Sequence, residues 1–314
     1  MMAHRRVAII GTGWVGASVA ISTLHAGVAD ELLLSDARAD VAEGEALDLA
    51  QGAAFYPSAT VRTASVEEMV DADVVVVAAG SGGKPGQSRL ELLQGNASLV
   101  ADLGRRLAGC RGTVLMVSNP VDVLTRVMQQ ASGLPPERVL GTGTVLDTAR
   151  LHQMLGLALN VDPRSVHAQV VGEHGDSEVV LWSQASVGGV RLRDWPGWST
   201  AREEAIAHQV RRAAYEIIAR KGATNHAIGL VTANLLQALL RDERRVLTVS
   251  RVHMGTLGGG AAQLLELNGV ALSLPAVVGA GGATQVLLPA LAPDEAAALQ
   301  HSAQVLQNAA ATLF

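Results

Sequence analysis

Arg6-Val7-Ala8-Ile9-Ile10-Gly11-Thr12-Gly13-Trp14-Val15-Gly16 is the stretch that decides the fold of this chain. Its first five residues predict a short buried strand, and apolar residues recur at helical spacing over residues 15–26. A glycine-rich turn between a strand and a helix lets the backbone approach a pyrophosphate, whose charge lies at the helix N-terminus. We therefore predict a dinucleotide-binding turn at Gly11, Gly13 and Gly16.

An acidic residue follows the second predicted strand. Glu31–Ser35 ends at Asp36, which lies 20 residues after Gly16, where a carboxylate can accept a hydrogen bond from a ribose hydroxyl. Because Asp36 is anionic and Ala37 brings no positive charge, a 2′-phosphate is repelled there, and we predict NAD rather than NADP. Arg38 is the one neighbour that favours a phosphate.

The composition excludes several classes of protein. The 314 residues carry a formal charge of −5 and no long basic run, which argues against a nucleic-acid partner. No apolar stretch reaches the roughly 18 residues that a membrane helix needs. The apolar run behind Arg5-Arg6 is too short for an export signal. The single Cys110 cannot form an internal disulfide, and we predict a cytoplasmic protein.

Further strands and helices predict an α/β fold with two domains. Residues 74–78 are apolar on both faces, as a parallel sheet covered by helices requires, and 113–117 and Val139–Gly141 predict two more strands. We predict a Rossmann doubly wound parallel sheet over residues 1–144, followed by an α+β catalytic domain over 145–314. In the second part we predict strands at 166–171, 179–182, 187–192, 246–250 and 270–278, and helices at 201–221, 226–240 and 294–312.

Polar residues at the ends of the central strands are candidates for a site. Four glycines, the first of them Gly80, precede Arg89, which suggests a mobile lid that carries a cation over a ligand. An ordinary solvated loop is the alternative. Asn119 follows a strand and is held by Pro120, so its amide is well placed for a carbonyl or carboxamide.

Three more residues could act together on one ligand. Asp147 and Arg150 are three apart at the start of a predicted helix and share a face, although such a pair is often only structural. His174 lies among carboxylates in Gly172-Glu173-His174-Gly175-Asp176-Ser177-Glu178. A histidine held in this way can exchange a proton near neutral pH, whereas most histidines taken singly are structural.

These motifs occur in the order found in a known family. The chain resembles the L-lactate and malate dehydrogenase family over essentially its full length, and residues 221–224 and 227–230 are similar to the bacterial lactate dehydrogenase branch. The motifs that carry the resemblance are Gly11 to Gly16, Asp36, Ala46-Leu47-Asp48-Leu49 before Gly52, Lys84-Pro85-Gly86 with Arg89, Ser118-Asn119-Pro120, Leu146-Asp147-Thr148-Ala149-Arg150 and the His174 motif.

The resemblance implies a role for each matching residue. His174 would give a proton to a ketone, with Asp147 orienting its imidazole. Arg150 would bind the substrate carboxylate, and Arg89 would polarise the ketone oxygen. Asn119 would contact the substrate or the nicotinamide, and Thr224 and Ile228 would line the pocket beside the ring. The implied cofactor contacts are Gly11, Gly13, Val15, Gly16, Asp36, Gly80, Val117, Asn119, Thr142 and Ile228.

The implied reaction is reversible hydride transfer between NADH and a 2-keto acid, giving the L-2-hydroxy acid, as in fermentation. We predict no metal site, and family members are commonly homodimers or homotetramers. The alternatives are a malate dehydrogenase, a reductase of an unusual carbonyl or imine, and a non-catalytic NAD-binding sensor. A sensor would not need His174, Asp147, Arg150 and Arg89 together.

Two positions depart from the family pattern. Gly83 stands before Lys84-Pro85, where lactate dehydrogenases typically have glutamine and malate dehydrogenases arginine. Because glycine cannot pair with a second carboxylate, oxaloacetate is disfavoured, and we expect a pocket that also accepts bulkier apolar 2-keto acids. Bacterial enzymes activated by fructose 1,6-bisphosphate carry an arginine where this chain has His152. Those enzymes also carry a histidine that this chain keeps as His167. Only one of the two activator-binding residues is therefore present, and we expect little or no activation.

Overall fold

The computed structural model describes residues 4–82, 89–259 and 263–313, and among them one large sheet organises the fold. The parallel strands are β1 (Arg6–Ile10), β2 (Glu31–Ser35), β3 (Thr60–Thr63), β4 (Val74–Val77), β5 (Thr113–Met116) and β6 (Val139–Gly141). The antiparallel strands are β12 (Arg245–His253), β15 (Val270–Gly279) and β16 (Gly282–Val286). Across the sheet the strands lie in the order β3-β2-β1-β4-β5-β6-β12-β15-β16.

The parallel half confirms the predicted doubly wound sheet. Its helices are α1 (Trp14–Ala26), α2 (Ala39–Gln51), α3 (Arg89–Arg106) and α4 (Val121–Ser132). Val100 of α3 and Leu124 of α4 pack in the same core cluster as Val75 of β4. Because all these strands run parallel, their carboxyl ends meet at one edge, where ligands bind in open α/β sheets.

The second half combines long helices with short strands. Its helices are α5 (Val145–Leu159), α6 (Thr200–Lys221), α7 (His226–Leu240) and α8 (Pro293–Ala311). Its short strands are β7 (Val166–His167), β8 (Val170–Val171), β9 (Val179–Val180), β10 (Ser186–Val187), β11 (Val190–Arg191), β13 (Thr256–Gly259) and β14 (Gln263–Glu266). The single strand predicted over 166–171 is wrong, because β7 pairs with β10 whereas β8 pairs with β9.

The two halves share one sheet and are also joined by packing between helices and strands of both halves. β12 adds to β6 through the pair Ser250 and Gly141, so the sheet continues from the parallel into the antiparallel strands. Leu235 and Leu236 of α7 lie in the same core cluster as Ile9 of β1. The predicted division at residue 144 stays a prediction. In the described part of the chain, none of the helices is both long and apolar enough to cross a bilayer.

Candidate active site

Two glycines of the turn after β1 stand where a side chain would not fit. Gly11 has φ +95°, and a Cβ at Gly16 would lie 1.8 Å from the Gly11 carbonyl oxygen. A Cβ at Gly13 would meet nothing within 4 Å, because this residue faces open space. The turn therefore packs tightly against its own strand while its outer backbone stays accessible at the start of α1.

A cleft of about 730 Å³ runs from this turn to the end of β2. Four of the residues predicted to contact the cofactor line it: Gly11, Gly13, Asp36 and Gly80. Asp36 accepts hydrogen bonds from the backbone N–H groups of Thr12 at 2.8 Å and Arg38 at 3.1 Å. Burial works to raise the pKa of the Asp36 carboxyl, but these hydrogen bonds outweigh it and lower the pKa, so Asp36 is anionic.

The shape and chemistry of this cleft fit a dinucleotide. The open backbone at Gly13 leaves room for a pyrophosphate at the N-terminus of α1, where backbone N–H groups and the helix dipole favour an anion. The anionic Asp36 lies at the far end, where it can accept from ribose hydroxyls and repels a 2′-phosphate. Arg38 and Arg106 are the cations that line the same cleft among the described residues, and Arg38 follows Asp36 closely in the sequence.

A second, smaller cavity of about 120 Å³ lies beyond the strand ends. It brings together residues that are far apart in sequence. The predicted residues that line it are Val15, Val117, Asn119, Thr142, Arg150, His174, Thr224 and Ile228. Sequence reasoning missed Gly143, Leu146, Ala214 and Ile218, whose only signal was their place beside predicted residues or on a predicted helix.

His174 and Arg150 are held by one carboxylate at this cavity. Asp147 Oδ2 lies 2.5 Å from His174 Nδ1, and Arg150 Nη1 donates to Asp147 Oδ1 at 2.7 Å. Asp147 is buried behind the cavity wall, whereas the His174 side chain is 24% exposed. Since Asp147 occupies Nδ1, the other ring nitrogen of His174 is left for a ligand.

The electrostatics of this group favour a charged imidazole. Burial lowers the pKa of His174, but the negative charge of Asp147 and the hydrogen bond to it outweigh burial and raise the pKa to about 9. Burial likewise works to raise the pKa of Asp147, and the charges of His174 and Arg150 reverse that effect and lower it. At neutral pH the pair is therefore an imidazolium beside a carboxylate.

The loop that carries His174 is fixed by groups that sequence reasoning did not assign. The His174 backbone N–H donates to Asp122 Oδ2 at 2.7 Å, and the Glu173 N–H donates to Ser302 Oγ of α8 at 2.7 Å. Asp122 is the second residue of α4 and follows Asn119-Pro120 closely, so its only sequence signal was its place near a predicted residue. Burial raises the pKa of Asp122 to about 6.

The segment predicted to be a lid lies largely outside the described residues. Gly83 falls in the segment 83–88, and Arg89 is described only as the first backbone position of α3. Next to this segment, Asn96 of α3 accepts from the Ser81 N–H at 2.9 Å and donates to the Asn119 carbonyl at 3.3 Å. Asn96 therefore ties the loop at Ser81 to the loop that follows β5, a role that no sequence pattern indicated.

The two histidines considered for phosphate binding, His152 and His167, differ in how deeply they are buried. His152 Nε2 lies 2.7 Å from the Ala168 carbonyl oxygen, which requires the ring nitrogen to donate. Burial lowers the pKa of His152 despite this hydrogen bond, and His167 lowers it further. His167 itself is exposed. At neutral pH His152 is therefore uncharged and already bonded.

Comparisons with known proteins agree with this architecture. Family models described as the NAD binding domain and the alpha/beta C-terminal domain of lactate/malate dehydrogenase match residues 5–141 and 144–314. Proteins named L-lactate dehydrogenase from Moorella thermoacetica and Thermus aquaticus are 44% and 43% identical, covering 98% of this chain and 97% and 99% of their own lengths. The crystal structure of a minor L-lactate dehydrogenase from Enterococcus mundtii superposes with a TM-score of 0.93 at 39% identity, covering 99% of this chain and 98% of its own. The chain therefore belongs to the lactate/malate dehydrogenase family and is an oxidoreductase with that family's NAD-binding domain.

Proposed function

We propose that this chain is an NAD-dependent L-2-hydroxyacid dehydrogenase of the L-lactate dehydrogenase type. The observation that carries the proposal is the hydrogen-bonded group of Asp147, His174 and Arg150 at the wall of a cavity that Asn119 and Ile228 also line. It combines a proton donor with a carboxylate-binding cation beside the nucleotide cleft. The relatives named L-lactate dehydrogenase support the same assignment.

In this proposal His174 is the acid and base of the reaction. Its raised pKa keeps a proton on the ring at neutral pH, and Asp147 fixes the ring through Nδ1. Nε2 then donates its proton to the ketone oxygen of a 2-keto acid, and it takes the proton back from the hydroxyl in the reverse direction. Asp147 stabilises the imidazolium and holds its orientation.

Arg150 is proposed to bind the substrate carboxylate. One N–H group of the Arg150 guanidinium donates to Asp147, which orients the planar group. The other N–H groups are left for a two-pronged contact with the substrate carboxylate. Arg89 is proposed to polarise the ketone oxygen from the lid. Asn119 is proposed to contact the substrate or the nicotinamide amide, and Thr224 to line the substrate side of the pocket.

The cofactor is proposed to lie across both cavities. Asp36 would hold the adenosine ribose, and the turn at Gly11, Gly13 and Gly16 would hold the pyrophosphate. The rest of the cofactor, up to the nicotinamide ring, would contact Val15, Gly80, Val117, Thr142 and Ile228. NADH, when bound, supplies the hydride that adds to the keto carbon. The protein contributes position, exclusion of water and the proton of His174.

The substrate class follows from the walls of the small cavity. Ala214 and Leu146 bring apolar surface, and Arg150 is the guanidinium that lines it among the described residues. Gly83 would add neither bulk nor charge. We propose pyruvate or a bulkier apolar 2-keto acid as substrate, because a second carboxylate such as that of oxaloacetate would lack a partner.

The test is NADH oxidation with pyruvate, 2-ketobutyrate, 2-ketoisocaproate, phenylpyruvate and oxaloacetate, compared by kcat/KM. We expect one of the first four to lead oxaloacetate by about tenfold or more, equivalent to roughly 1.4 kcal/mol in transition-state binding. If oxaloacetate leads, the chain is a malate dehydrogenase. Absence of turnover with every acid would contradict the proposal and favour an unusual carbonyl, an imine or a sensor.

We also propose that two or four copies assemble in the cytoplasm. Trp14 and Leu230 are 65% and 66% exposed, and with Ile21 they line two adjacent grooves beside α1 and α7. Apolar surface of this kind suits an isologous contact with a second copy. Multi-angle light scattering should give a dimer or tetramer, and Trp14→Glu should shift it toward monomer. The free, buried Cys110 is consistent with a reducing compartment.

A further inference from the structure

Asn96 is a buried amide on α3 that the proposed reaction does not use. It is 4% exposed, and it follows Arg89, the first residue of the same helix, by about two turns. Its Oδ1 atom accepts from the Ser81 N–H at 2.9 Å. Its Nδ2 group donates to the Ser81 carbonyl at 3.2 Å and to the Asn119 carbonyl at 3.3 Å. Both polar atoms of this side chain are therefore bonded to backbone.

These contacts join two loops at the carboxyl edge of the sheet. Ser81 lies in the loop after β4, and it lines the cleft of about 730 Å³ together with Gly80 and Asn96. Asn119 lies in the loop after β5 and lines the cavity of about 120 Å³ beside His174. Asn96 therefore connects the walls of the two cavities across which the cofactor is proposed to lie.

The same two loops are joined a second time, closer to the strands. Ser118 Oγ donates to the Val77 carbonyl at the end of β4 at 3.2 Å, and it also donates to the Ala79 carbonyl. This contact does not involve Asn96. The strand ends should therefore stay together without the Asn96 amide, whereas the outer parts of the loops, at Ser81 and Asn119, should not.

The loop after β5 also leads to the backbone of His174. Asp122 follows Asn119 within the same segment, and its Oδ2 atom accepts from the His174 N–H at 2.7 Å. A shift of this loop would move Asn119 directly and His174 through Asp122. Misplacement of a reacting group by about 1 Å can lower a rate by about 100-fold.

We propose that Asn96 is a positioning residue that aligns the nicotinamide end of the cofactor with the substrate cavity by fixing the backbone at Ser81 and Asn119. Its own polar atoms are bonded to those two residues, so it acts through them. The adenosine end should not depend on Asn96, because Asp36 and the turn after β1 are proposed to hold that end. The inference rests on the proposed function, since it concerns the same two cavities.

The experiment compares the affinities of NADH and of ADP-ribose, which lacks the nicotinamide, for the wild type, Asn96→Ala and Asn96→Leu. We expect both variants to bind NADH about three- to tenfold more weakly and to bind ADP-ribose within about twofold of the wild type. Their kcat/KM for the preferred 2-keto acid should fall by about 10- to 100-fold. Leucine keeps the bulk of asparagine but neither donates nor accepts, so equal losses in both variants assign the effect to the hydrogen bonds.

Gln129→Ala is the matched control. Gln129 is also a partly buried amide that donates to a backbone carbonyl, that of Leu134 at 3.0 Å, but it lies in the last turn of α4. Its loss should lower Tm without changing either affinity. An NADH affinity within about twofold of the wild type in both Asn96 variants would overturn the proposal. Equal losses of NADH and ADP-ribose affinity would also overturn it, because they would indicate a general loosening of the cleft.

If neither Asn96 variant folds, hydrogen exchange of the wild-type Ser81 amide decides. Exchange slower than that of a free peptide by about tenfold or more supports the contact with Asn96, and exchange at the free-peptide rate overturns it.

The binding measurements also separate this inference from the proposed function, because they require no turnover. If the wild type reduced none of the 2-keto acids, the proposed function would fail, while the two affinities still decided the role of Asn96. If the wild type were active and both Asn96 variants kept its NADH affinity, only the inference about Asn96 would fail.

Discussion

At the scale of single residues, the site depends on one buried carboxylate that serves two cations. Asp147 uses Oδ1 for Arg150 and Oδ2 for His174, so the histidine and the arginine are fixed relative to each other. A buried carboxylate is tolerated only when it is paired and hydrogen-bonded, and here both conditions are met. The same pairing keeps His174 charged, which is the protonation state that ketone reduction requires.

We expect Asp147→Asn to lower kcat/KM for 2-keto acid reduction at pH 7 by about 10²- to 10⁴-fold. Asparagine keeps a hydrogen-bonding side chain, but it removes the charge that raises the His174 pKa. Steady-state rates and NADH affinity by fluorescence measure the effect, and NADH affinity should hardly change. Asp102→Asn, on an exposed ion pair of α3, should leave the rate unchanged. A rate within about threefold of wild type in Asp147→Asn would contradict this role.

Fructose 1,6-bisphosphate should change the apparent KM by less than about twofold at pH 7. His152 is buried, uncharged and bonded to the Ala168 carbonyl, so it offers little attraction to a phosphate. Initial rates with and without millimolar bisphosphate measure this. His152→Arg, which restores a permanent charge, is the comparison variant and should respond more strongly. A drop in KM of about tenfold in the wild type would show that another cation binds the phosphate.

At the scale of elements, the β1 turn and α1 form a unit in which the glycines are required for different physical reasons. Gly16 is required by packing, because its hydrogen faces the Gly11 carbonyl oxygen. A Cβ at Gly13 would extend into open space, so glycine is required there only if a ligand approaches its backbone. Substitutions at these two positions can therefore separate folding from cofactor binding.

Gly13→Ala should keep the wild-type Tm and weaken NADH binding by about tenfold. Gly16→Ala should destabilise the protein by about 3 kcal/mol or more, since its Cβ would lie 1.8 Å from a backbone oxygen. Gly44→Ala is the control: it lies exposed within α2 with nothing within 4 Å, and it should stabilise by about 0.5–1 kcal/mol. Thermal unfolding and NADH titration measure all three. Unchanged NADH affinity in Gly13→Ala would place the pyrophosphate elsewhere.

At the scale of the whole molecule, the site lies where the two halves of the chain meet. α5, the His174 loop and α7 bring Arg150, His174 and Ile228 to the carboxyl edge of the parallel strands, where Asn119 lies. α7 packs on α1, and β12 continues the sheet from β6. Because charges from both halves are buried together, the stability of the whole molecule depends on their protonation.

We expect Tm to fall by roughly 5 °C between pH 6.5 and about 9. The folded-state pKa of His174 is raised to about 9 from 6.5, and that of Glu178 to about 8 from 4.5. Groups that hold protons more tightly when folded add stability below their unfolded pKa, and this stability is lost as pH rises through the folded pKa. Calorimetry at constant ionic strength measures the change. The fall in Tm with rising pH should be smaller in Asp147→Asn. A Tm that rises over this pH range would contradict the raised pKa values of His174 and Glu178.

Much of the molecule was predictable because its signals are local. The β1 turn, the helix after it and Asp36 follow from turn chemistry and short-range periodicity, and all three lie where they were predicted. His174, Asp147 and Arg150 were found through motifs of a few residues each. The helix His226–Leu240 has the predicted bounds because its apolar residues recur at helical spacing.

Local patterns were enough to predict the Rossmann half, the NAD preference implied by Asp36 and the residue proposed as the acid and base, since each depends on residues within about one turn or strand. Three features emerged only from the folded molecule: β12 joins β6, Asp122 and Ser302 hold the His174 loop, and the Oε1 atom of Glu178 is buried without a hydrogen-bond partner among the described residues. Those contacts join residues up to 129 positions apart. Their formation depends on packing between distant segments, which local periodicity does not encode.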